Sequence, residues 1–155
     1  MNVVTKDQNA PQFTLPRDGG ETLSLSQFKG QPVVLFFYPK DNTTGCTREA
    51  TEFNAVLDAF QTLGVAVIGL SPDSPKSHDK FVAKYDLKMP LASDETHETL
   101  EAYGVWKEKS MYGRTYMGVE RTTVLLDKDH KVAEVWTKVK VPGHVDAVLQ
   151  AARNL

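Results

Sequence analysis

The sequence has 155 residues, 41% hydrophobic and 25% charged, which is enough for one domain with a single core and too few for two domains of typical size. No apolar run approaches the roughly 18 residues of a membrane span, and a net charge of −2 spread along the chain excludes a basic stripe for nucleic acid and a polybasic membrane anchor. The amino terminus lacks a basic cluster followed by an apolar stretch, so no secretory signal is expected and the cytoplasm is the predicted location.

The first half of the chain predicts a hairpin followed by a βαβ unit. Apolar and polar residues alternate around the Asp-Gly-Gly turn at residues 18–20, a pattern typical of a β-hairpin. The continuous apolar runs Pro32–Tyr38 and Val65–Ser71 indicate strands covered on both faces. Between them, apolar residues recur at three- and four-residue steps over Thr47–Gly64, which predicts a helix that ends at the glycine. The unit is expected to be parallel and right-handed.

The second half predicts three helices and two strands. Ser74 followed by Pro75 is a helix-start signal, and a further short helix is expected over Glu95–Gly104. The remaining elements are the strand-like runs Thr122–Asp127 and Lys131–Thr137 and a closing amphipathic helix, His144–Leu155. This order predicts an α/β protein with a mixed sheet and helices on both faces. It is the element order of the thioredoxin fold with an N-terminal extension, in a single domain over residues 1–155.

The chain has one cysteine, Cys46, which stands after the first buried strand and just before the helical periodicity begins. Cysteine is often a small buried hydrophobe, but this one is flanked by threonines and a glycine. The carboxyl end of a parallel strand is where α/β sheets bind ligands, and a helix start favours a thiolate. Lowering the pKa from about 8.5 to about 6.5 would raise the thiolate fraction at pH 7 from roughly 3% to roughly three quarters. A single cysteine also excludes an intramolecular disulfide, which fits a reducing compartment.

Two motifs carry a resemblance to a known family. Pro39, Thr43 and Cys46 form a Pro-x-x-x-Thr-x-x-Cys pattern, and a second motif, Gly-Val-Glu-Arg-Thr-Thr, contains Arg121. With these motifs the chain resembles the peroxiredoxins, and most closely the Q-type, or bacterioferritin comigratory proteins, over essentially its whole length. The resemblance implies a thioredoxin fold and reduction of hydrogen peroxide and organic hydroperoxides by a peroxidatic cysteine. It implies neither a metal nor an organic cofactor.

The resemblance also implies residue roles, which we state as expectations. Cys46 is the peroxidatic nucleophile, Thr43 its hydroxyl partner, and Arg121 the guanidinium beside the sulfur, which stays charged at any working pH. Pro39 is expected to shield the pocket from water. Without the motif, Thr43 could equally cap the helix or bond its own loop, Pro39 could end the strand, and Arg121 could form a surface ion pair.

Two further residues complete the predicted pocket. The backbone N–H groups of Gly45 and Cys46 are expected to help bind peroxide at the helix start. Glu49 is placed in the first helical turn, where a carboxylate is favourable against the helix dipole. Relatives usually have an acidic or amide residue there that helps to hold the arginine, so Glu49 is expected to support Arg121.

Other chemistry has weaker support in the sequence. His78, His97, His130 and His144 show no spacing typical of metal ligands with one another or with Cys46, which predicts surface histidines and no metal site. A Cys-His hydrolase and a non-catalytic redox sensor or holdase stay open as alternatives. A dithiol oxidoreductase is disfavoured, because threonine stands where its first cysteine would be.

The chain departs from the Q-type pattern in lacking a resolving cysteine. Thr51 stands five residues after Cys46, and Val82 and Ala83 stand at the alternative position in the following helix. A further departure is Thr44, where relatives commonly have proline. A sulfenic acid at Cys46 must therefore meet an external thiol, from thioredoxin, glutaredoxin, a small thiol or a second copy of the chain. The expected protein is a monomer, as Q-type relatives mostly are, with no nucleic-acid or membrane partner.

Overall fold

The N-terminal hairpin is present in the computed structural model, which describes residues 2–155. Its antiparallel strands are β1, Thr14–Pro16, and β2, Thr22–Ser24. A short 3-10 turn joins them, and within it Gly19 and Gly20 adopt φ angles of +83° and +80°. Glycine adopts positive φ at little cost, so the predicted turn chemistry is confirmed.

In the described part of the chain, the strands of the central sheet follow the order β5-β4-β3-β8-β9. The β-strands after the hairpin are β3 Val33–Phe37, β4 Ala66–Ser71, β5 Leu91–Ser93, β6 Trp106–Met111, β7 Arg114–Val119, β8 Thr122–Leu126 and β9 Val132–Trp136. Strands β3, β4 and β5 are parallel, whereas β8 runs antiparallel to both β3 and β9. The mixed sheet and the βαβ unit are therefore confirmed. Strands β6 and β7 form a separate antiparallel hairpin that the hydrophobic pattern did not predict.

Five α-helices lie within residues 2–155: α1 Thr44–Ala55, α2 Leu57–Thr62, α3 Pro75–Tyr85, α4 Glu98–Ala102 and α5 His144–Arg153. The single helix predicted over Thr47–Gly64 is wrong in two respects, because it begins at Thr44 and breaks at Val56, whose φ of −113° and ψ of 16° lie outside the helical range. The Asn54 side chain bonds the backbone of the segment after α3 at this break. Such a long-range anchor leaves no trace in local periodicity.

Strand β3 lies at the centre of the core and is buried on both faces. Val34 and Phe36 pack into a cluster with α1, α2, α3 and α5, whereas Val33, Leu35 and Phe37 pack into a second cluster with the N-terminal segments and α4. Side chains alternate across a strand, so a strand with apolar partners on both sides needs a continuous apolar run. No helix within residues 2–155 is long and apolar enough to cross a membrane.

The prediction of surface histidines is wrong for three of the four. His78, His130 and His144 are all buried. Each has a hydrogen-bond partner inside the protein, which offsets the free-energy cost of burying an imidazole. The partners are Asp41 and the Ala92 carbonyl for His78, the Phe28 and Gln31 carbonyls for His130, and the Thr123 hydroxyl for His144.

Candidate active site

Cys46 is the third residue of α1, directly after the loop that follows β3. Thr43 precedes the helix in an extended conformation, and the first intrahelical bond runs from the Thr47 N–H to the Thr43 carbonyl, 2.8 Å away. The N–H groups of Thr44, Gly45 and Cys46 precede this bond, and amides in a first helical turn have no intrahelical acceptor. The Cys46 side chain is only 2% exposed. A partly positive helix end therefore adjoins a buried sulfur, which favours its anion.

Arg121 reaches Cys46 because of the sheet register. Phe37 at the end of β3 pairs with Thr122 at the start of β8, so the residue before β8 lies beside the loop that leads to α1. Arg121 Nη2 donates to Cys46 Sγ at 3.3 Å. The Arg121 carbonyl accepts from the Val139 N–H at 3.0 Å, which helps to fix the backbone. The two motifs, 75 residues apart, thus meet at one sulfur atom.

Gly45 makes room for the guanidinium. A Cβ atom at this position would lie 3.1 Å from Arg121 Nη2, closer than ordinary van der Waals contact. A larger residue would therefore press on the group that contacts the sulfur. This steric reason for glycine adds to the expected role of its backbone N–H.

Glu49 holds the other side of the same guanidinium. Its Oε1 accepts from Arg121 Nη1 at 2.8 Å, and the carboxyl group is fully buried. Burial raises the pKa of Glu49 to about 7, although Arg121 opposes the shift. The prediction that Glu49 lies in the first helical turn is wrong, since α1 begins at Thr44 and places Glu49 in the second turn. Support of Arg121, rather than the helix dipole, is the interaction that the geometry provides.

Thr43 and Pro39 lie on the loop between β3 and α1. Thr43 is exposed, and its hydroxyl donates to the Lys40 carbonyl at 2.8 Å. Within residues 2–155, no hydrogen bond joins that hydroxyl to Cys46, so the arrangement matches the alternative in which Thr43 bonds its own loop. Pro39 follows β3 and is partly exposed. Neither side chain contacts the sulfur through a polar group in this arrangement.

Two cationic or titratable side chains near the site were missed from the sequence. Lys109 on β6 donates to the Val119 carbonyl at 2.6 Å, and burial and the nearby Arg121 lower its pKa. His144, the first residue of α5, lies 3.8 Å from Glu49 Oε2, and burial and Arg121 lower its pKa to about 4, which keeps the ring neutral at pH 7. Both belong to elements distant from the cysteine in sequence, so no local pattern connects them to it.

A thioredoxin-type sheet that holds one buried cysteine at a helix start, beside an arginine, defines a thiol-based oxidoreductase. A model of the AhpC/TSA family matches residues 7–135. Peroxiredoxin Bcp of Bacillus subtilis is 45% identical over 148 residues, which cover 96% of this chain and 94% of the relative. The chain belongs to the AhpC/TSA family and is a peroxiredoxin of the Bcp or Q type, a thiol-dependent peroxidase.

Solved structures agree with this assignment. A cysteine-to-serine mutant of Xylella fastidiosa PrxQ superposes with a TM-score of 0.93 at 39% identity, covering 99% of this chain and 98% of that one. The bacterioferritin comigratory protein of Xanthomonas campestris, solved as a trapped intermediate/ligand complex bearing on its alkyl peroxide reduction activity, has a TM-score of 0.88 at 44% identity and covers 92% of this chain and 90% of that one. The predicted thioredoxin fold is confirmed.

Proposed function

We propose that this peroxiredoxin reduces hydrogen peroxide and organic hydroperoxides through Cys46. The observation that carries the proposal is the 3.3 Å contact between Arg121 Nη2 and the Sγ of the chain's single cysteine. The alkyl peroxide reduction described for the Xanthomonas campestris relative supports the inclusion of organic hydroperoxides. The Cys46 thiolate attacks one peroxide oxygen, an S–O bond forms as the O–O bond breaks, and the departing oxyanion takes a proton. The sulfur is oxidised by two electrons to a sulfenic acid, and the peroxide is reduced to an alcohol or water.

Arg121 has two tasks in this step. Its fixed charge stabilises the thiolate in the resting enzyme, and its planar fork of donors stabilises the charge that moves onto the departing oxygen. Donors held in place before the reaction need no reorganisation when that charge appears. The backbone N–H groups of Gly45 and Cys46 are proposed to bind the same oxygens. Glu49 acts through Arg121 as a positioning residue, because it holds the second nitrogen of the fork at 2.8 Å.

Thr43 and Pro39 are proposed to complete the peroxide pocket. A hydroxyl can both donate and accept, so Thr43 is suited to bind a peroxide oxygen that lies against the thiolate. This role requires its hydroxyl to turn away from the Lys40 carbonyl when peroxide enters. Pro39 has no N–H and presents an apolar ring, which limits the water that competes for the donors.

Recycling is proposed to use an external thiol. The sulfenic acid condenses with a thiol to give a mixed disulfide and water, and a second thiol then releases Cys46 as a disulfide forms elsewhere. No second cysteine exists in the chain, so the thiol must come from outside it. We propose thioredoxin, glutaredoxin or small thiols as donors. The enzyme is proposed to act as a monomer in the cytoplasm.

Peroxide consumption with thioredoxin, glutaredoxin and glutathione systems tested in parallel examines the proposal. We expect steady turnover with at least one system and none in Cys46→Ser. A single stoichiometric oxidation of Cys46 without turnover in any system would instead favour a redox sensor. Intact mass after one equivalent of peroxide provides a second measure, because an unchanged mass with no adduct and no partner would exclude Cys46 as the peroxidatic residue.

A further inference from the structure

His78 is a fully buried histidine that the peroxidase chemistry does not use. It lies in the first turns of α3 with 0% exposure. Its Nε2 is 3.0 Å from the Ala92 carbonyl, which can only accept, so Nε2 carries a hydrogen. Its Nδ1 is 2.7 Å from Asp41 Oδ2, an oxygen that already accepts from the Ser77 hydroxyl at 2.8 Å. With Nε2 protonated, Nδ1 faces a carboxyl oxygen at 2.7 Å, an environment that favours the imidazolium.

The Asp41 carboxylate is the partner that makes this buried charge tolerable. Its Oδ1 accepts from the Tyr38 hydroxyl at 2.6 Å, and its Oδ2 accepts from Ser77 and His78. Burial acts to lower the pKa of His78, but the hydrogen bond and charge of Asp41 offset it, and the pKa is raised. Removal of one partner of a buried ion pair leaves an uncompensated buried charge and strongly destabilises the surrounding structure.

The same atoms also resemble a cation site. The ligand atoms of Asp41, Asp73 and His78 lie within 4.8 Å of one another. However, both nitrogens of His78 are already engaged, Nδ1 with Asp41 and Nε2 with the Ala92 carbonyl. The Asp73 Oδ2 atom accepts from the Asp41 N–H and the Ser71 hydroxyl. The cluster is thus held together by hydrogen bonds.

These contacts fix the loop that leads to Cys46. Asp41 and Asn42 belong to the segment between β3 and α1. The first turns of α3 hold Asp41, and its last turn holds Asn42, whose Oδ1 accepts from Lys84 Nζ at 3.2 Å and from the Tyr85 hydroxyl at 3.1 Å. Helix α3 therefore forms hydrogen bonds with two consecutive loop residues, four and five positions before the cysteine. The start of α1 cannot move far from the sheet while both sets of hydrogen bonds are intact.

We infer that His78 is a positioning residue that, through Asp41, holds the loop before Cys46 closed over the sulfur. The inference rests on the proposed function in one respect, because an external thiol must reach Cys46. Cys46 is 2% exposed, which leaves little room for a second sulfur to approach along the line of the new bond. Hydroperoxide is small by comparison. The loop must therefore open for recycling, and the Asp41–His78 ion pair sets how often it does.

The test compares two reagents on reduced enzyme, without peroxide. Cys46 is the only thiol, so methyl methanethiosulfonate and the bulkier 4,4′-dithiodipyridine both report on it alone. Both reactions need the thiolate, so the ratio of their rate constants cancels changes in thiolate fraction and measures access. We expect His78→Gln to raise the bulky-to-small ratio about tenfold or more, since a charge-assisted hydrogen bond of a buried ion pair is lost. Hydrogen exchange of the amides over residues 38–46 should accelerate in parallel.

The matched control is His130→Gln. His130 is also buried, and its Nε2 bonds two backbone carbonyls, but those belong to the segment before β3, away from the Cys46 loop. The control should lose stability without a change in the ratio. Ser77→Ala removes one donor to Asp41 oxygen Oδ2 and should shift the ratio in the same direction by less, which preserves the test if His78→Gln does not fold.

An unchanged ratio in both His78→Gln and Ser77→Ala, or an equal change in His130→Gln, would overturn the inference. Peroxidase turnover is measured separately on each variant. A shifted ratio in the variants together with no turnover in the wild type would keep the loop inference and reject the proposed function, whereas turnover in the wild type with an unchanged ratio in the variants would do the reverse.

Discussion

Two buried carboxylates lie close to Cys46 in sequence, and their surroundings differ. Asp41, five residues before it, pairs with His78 and accepts hydrogen bonds at both oxygens. Glu49, three residues after it, pairs with Arg121 through Oε1, but its Oε2 is buried without a hydrogen-bond partner in the described part of the chain. The oxygens of Asp41 thus have the partners that a buried polar group needs, whereas the buried Glu49 carboxyl has an orphaned oxygen and a raised pKa.

The two carboxylates therefore have different roles around the cysteine. The Asp41 pair fixes the loop, and the Glu49 pair shares a guanidinium with the reacting sulfur. Arg121 contacts the Glu49 carboxyl and the Cys46 sulfur at once, through different nitrogens of one guanidinium.

Replacement of Arg121 should have the largest effect. Arg121→Ala removes the donor to Cys46 Sγ, and we expect the second-order rate constant for peroxide to fall by about 10²–10³. The pKa of Cys46, followed by thiolate absorbance, should rise. Arg121→Lys keeps the charge without the fork and should be intermediate. Arg48→Ala, which removes an exposed arginine of the same helix, is the control and should change neither quantity. An equal loss in Arg48→Ala would mean that the helix, rather than the contact, is responsible.

The difference in unfolding free energy between the wild type and Glu49→Gln should depend on pH. The pKa of Glu49 is raised from 4.5 to about 7, so the native state binds a proton that the unfolded state releases over this interval. The stabilisation due to this proton is fully present below about pH 4.5 and is lost as pH rises through about 7. Relative to Glu49→Gln, the wild type should lose up to roughly 3 kcal/mol of unfolding free energy across that window. Urea unfolding at several pH values measures it, and a constant difference would refute the raised pKa.

Sequence patterns could predict some of these features but not others. The buried strand β3 and the Cys46 and Arg121 motifs are visible because apolar runs and motif spacings are local. The start of α1 was placed late because Thr44 and Gly45 add nothing to apolar periodicity. The hairpin of β6 and β7 was missed because its strands are largely exposed and charged.

The buried histidines were beyond the reach of any local pattern. His78 meets Asp41 across 37 residues of chain, and the two are joined only by the packing of α3 on the loop after β3. The same holds for His144 and Glu49, which approach each other because α5 packs beside α1. A sequence shows which residues are titratable, whereas tertiary packing decides which of them lie close together.

Thr43 lies between Asp41 and Glu49 in sequence, and its replacement should have a moderate effect on peroxide reactivity. Thr43→Val keeps the shape and deletes the hydroxyl, and we expect peroxide reactivity to fall about tenfold to hundredfold because one hydrogen bond to the transition state is lost. Thr43→Ser keeps the hydroxyl and should retain most activity. The comparison needs only single-turnover rates with hydrogen peroxide. Equal losses in the two variants would mean that Thr43 shapes the loop through its bond to the Lys40 carbonyl and does not bind peroxide.

Tyr38→Phe should have the smallest effect, and its pH dependence separates the two carboxylates. The change removes one hydroxyl donor from Asp41 Oδ1 while the ring, stacked on Phe36 at a centroid distance of 5.6 Å, is kept. Loss of a hydrogen bond to a charged group should lower the unfolding free energy by about 2 kcal/mol. Burial raises the pKa of Tyr38 well above its ordinary value, so the phenol stays neutral over the whole Glu49 window. The difference from wild type should therefore be constant between about pH 4.5 and 7, unlike that of Glu49→Gln. A slope in this window as steep as that of Glu49→Gln would show that the pH dependence is not specific to Glu49, and the contrast between the two carboxylates would no longer hold.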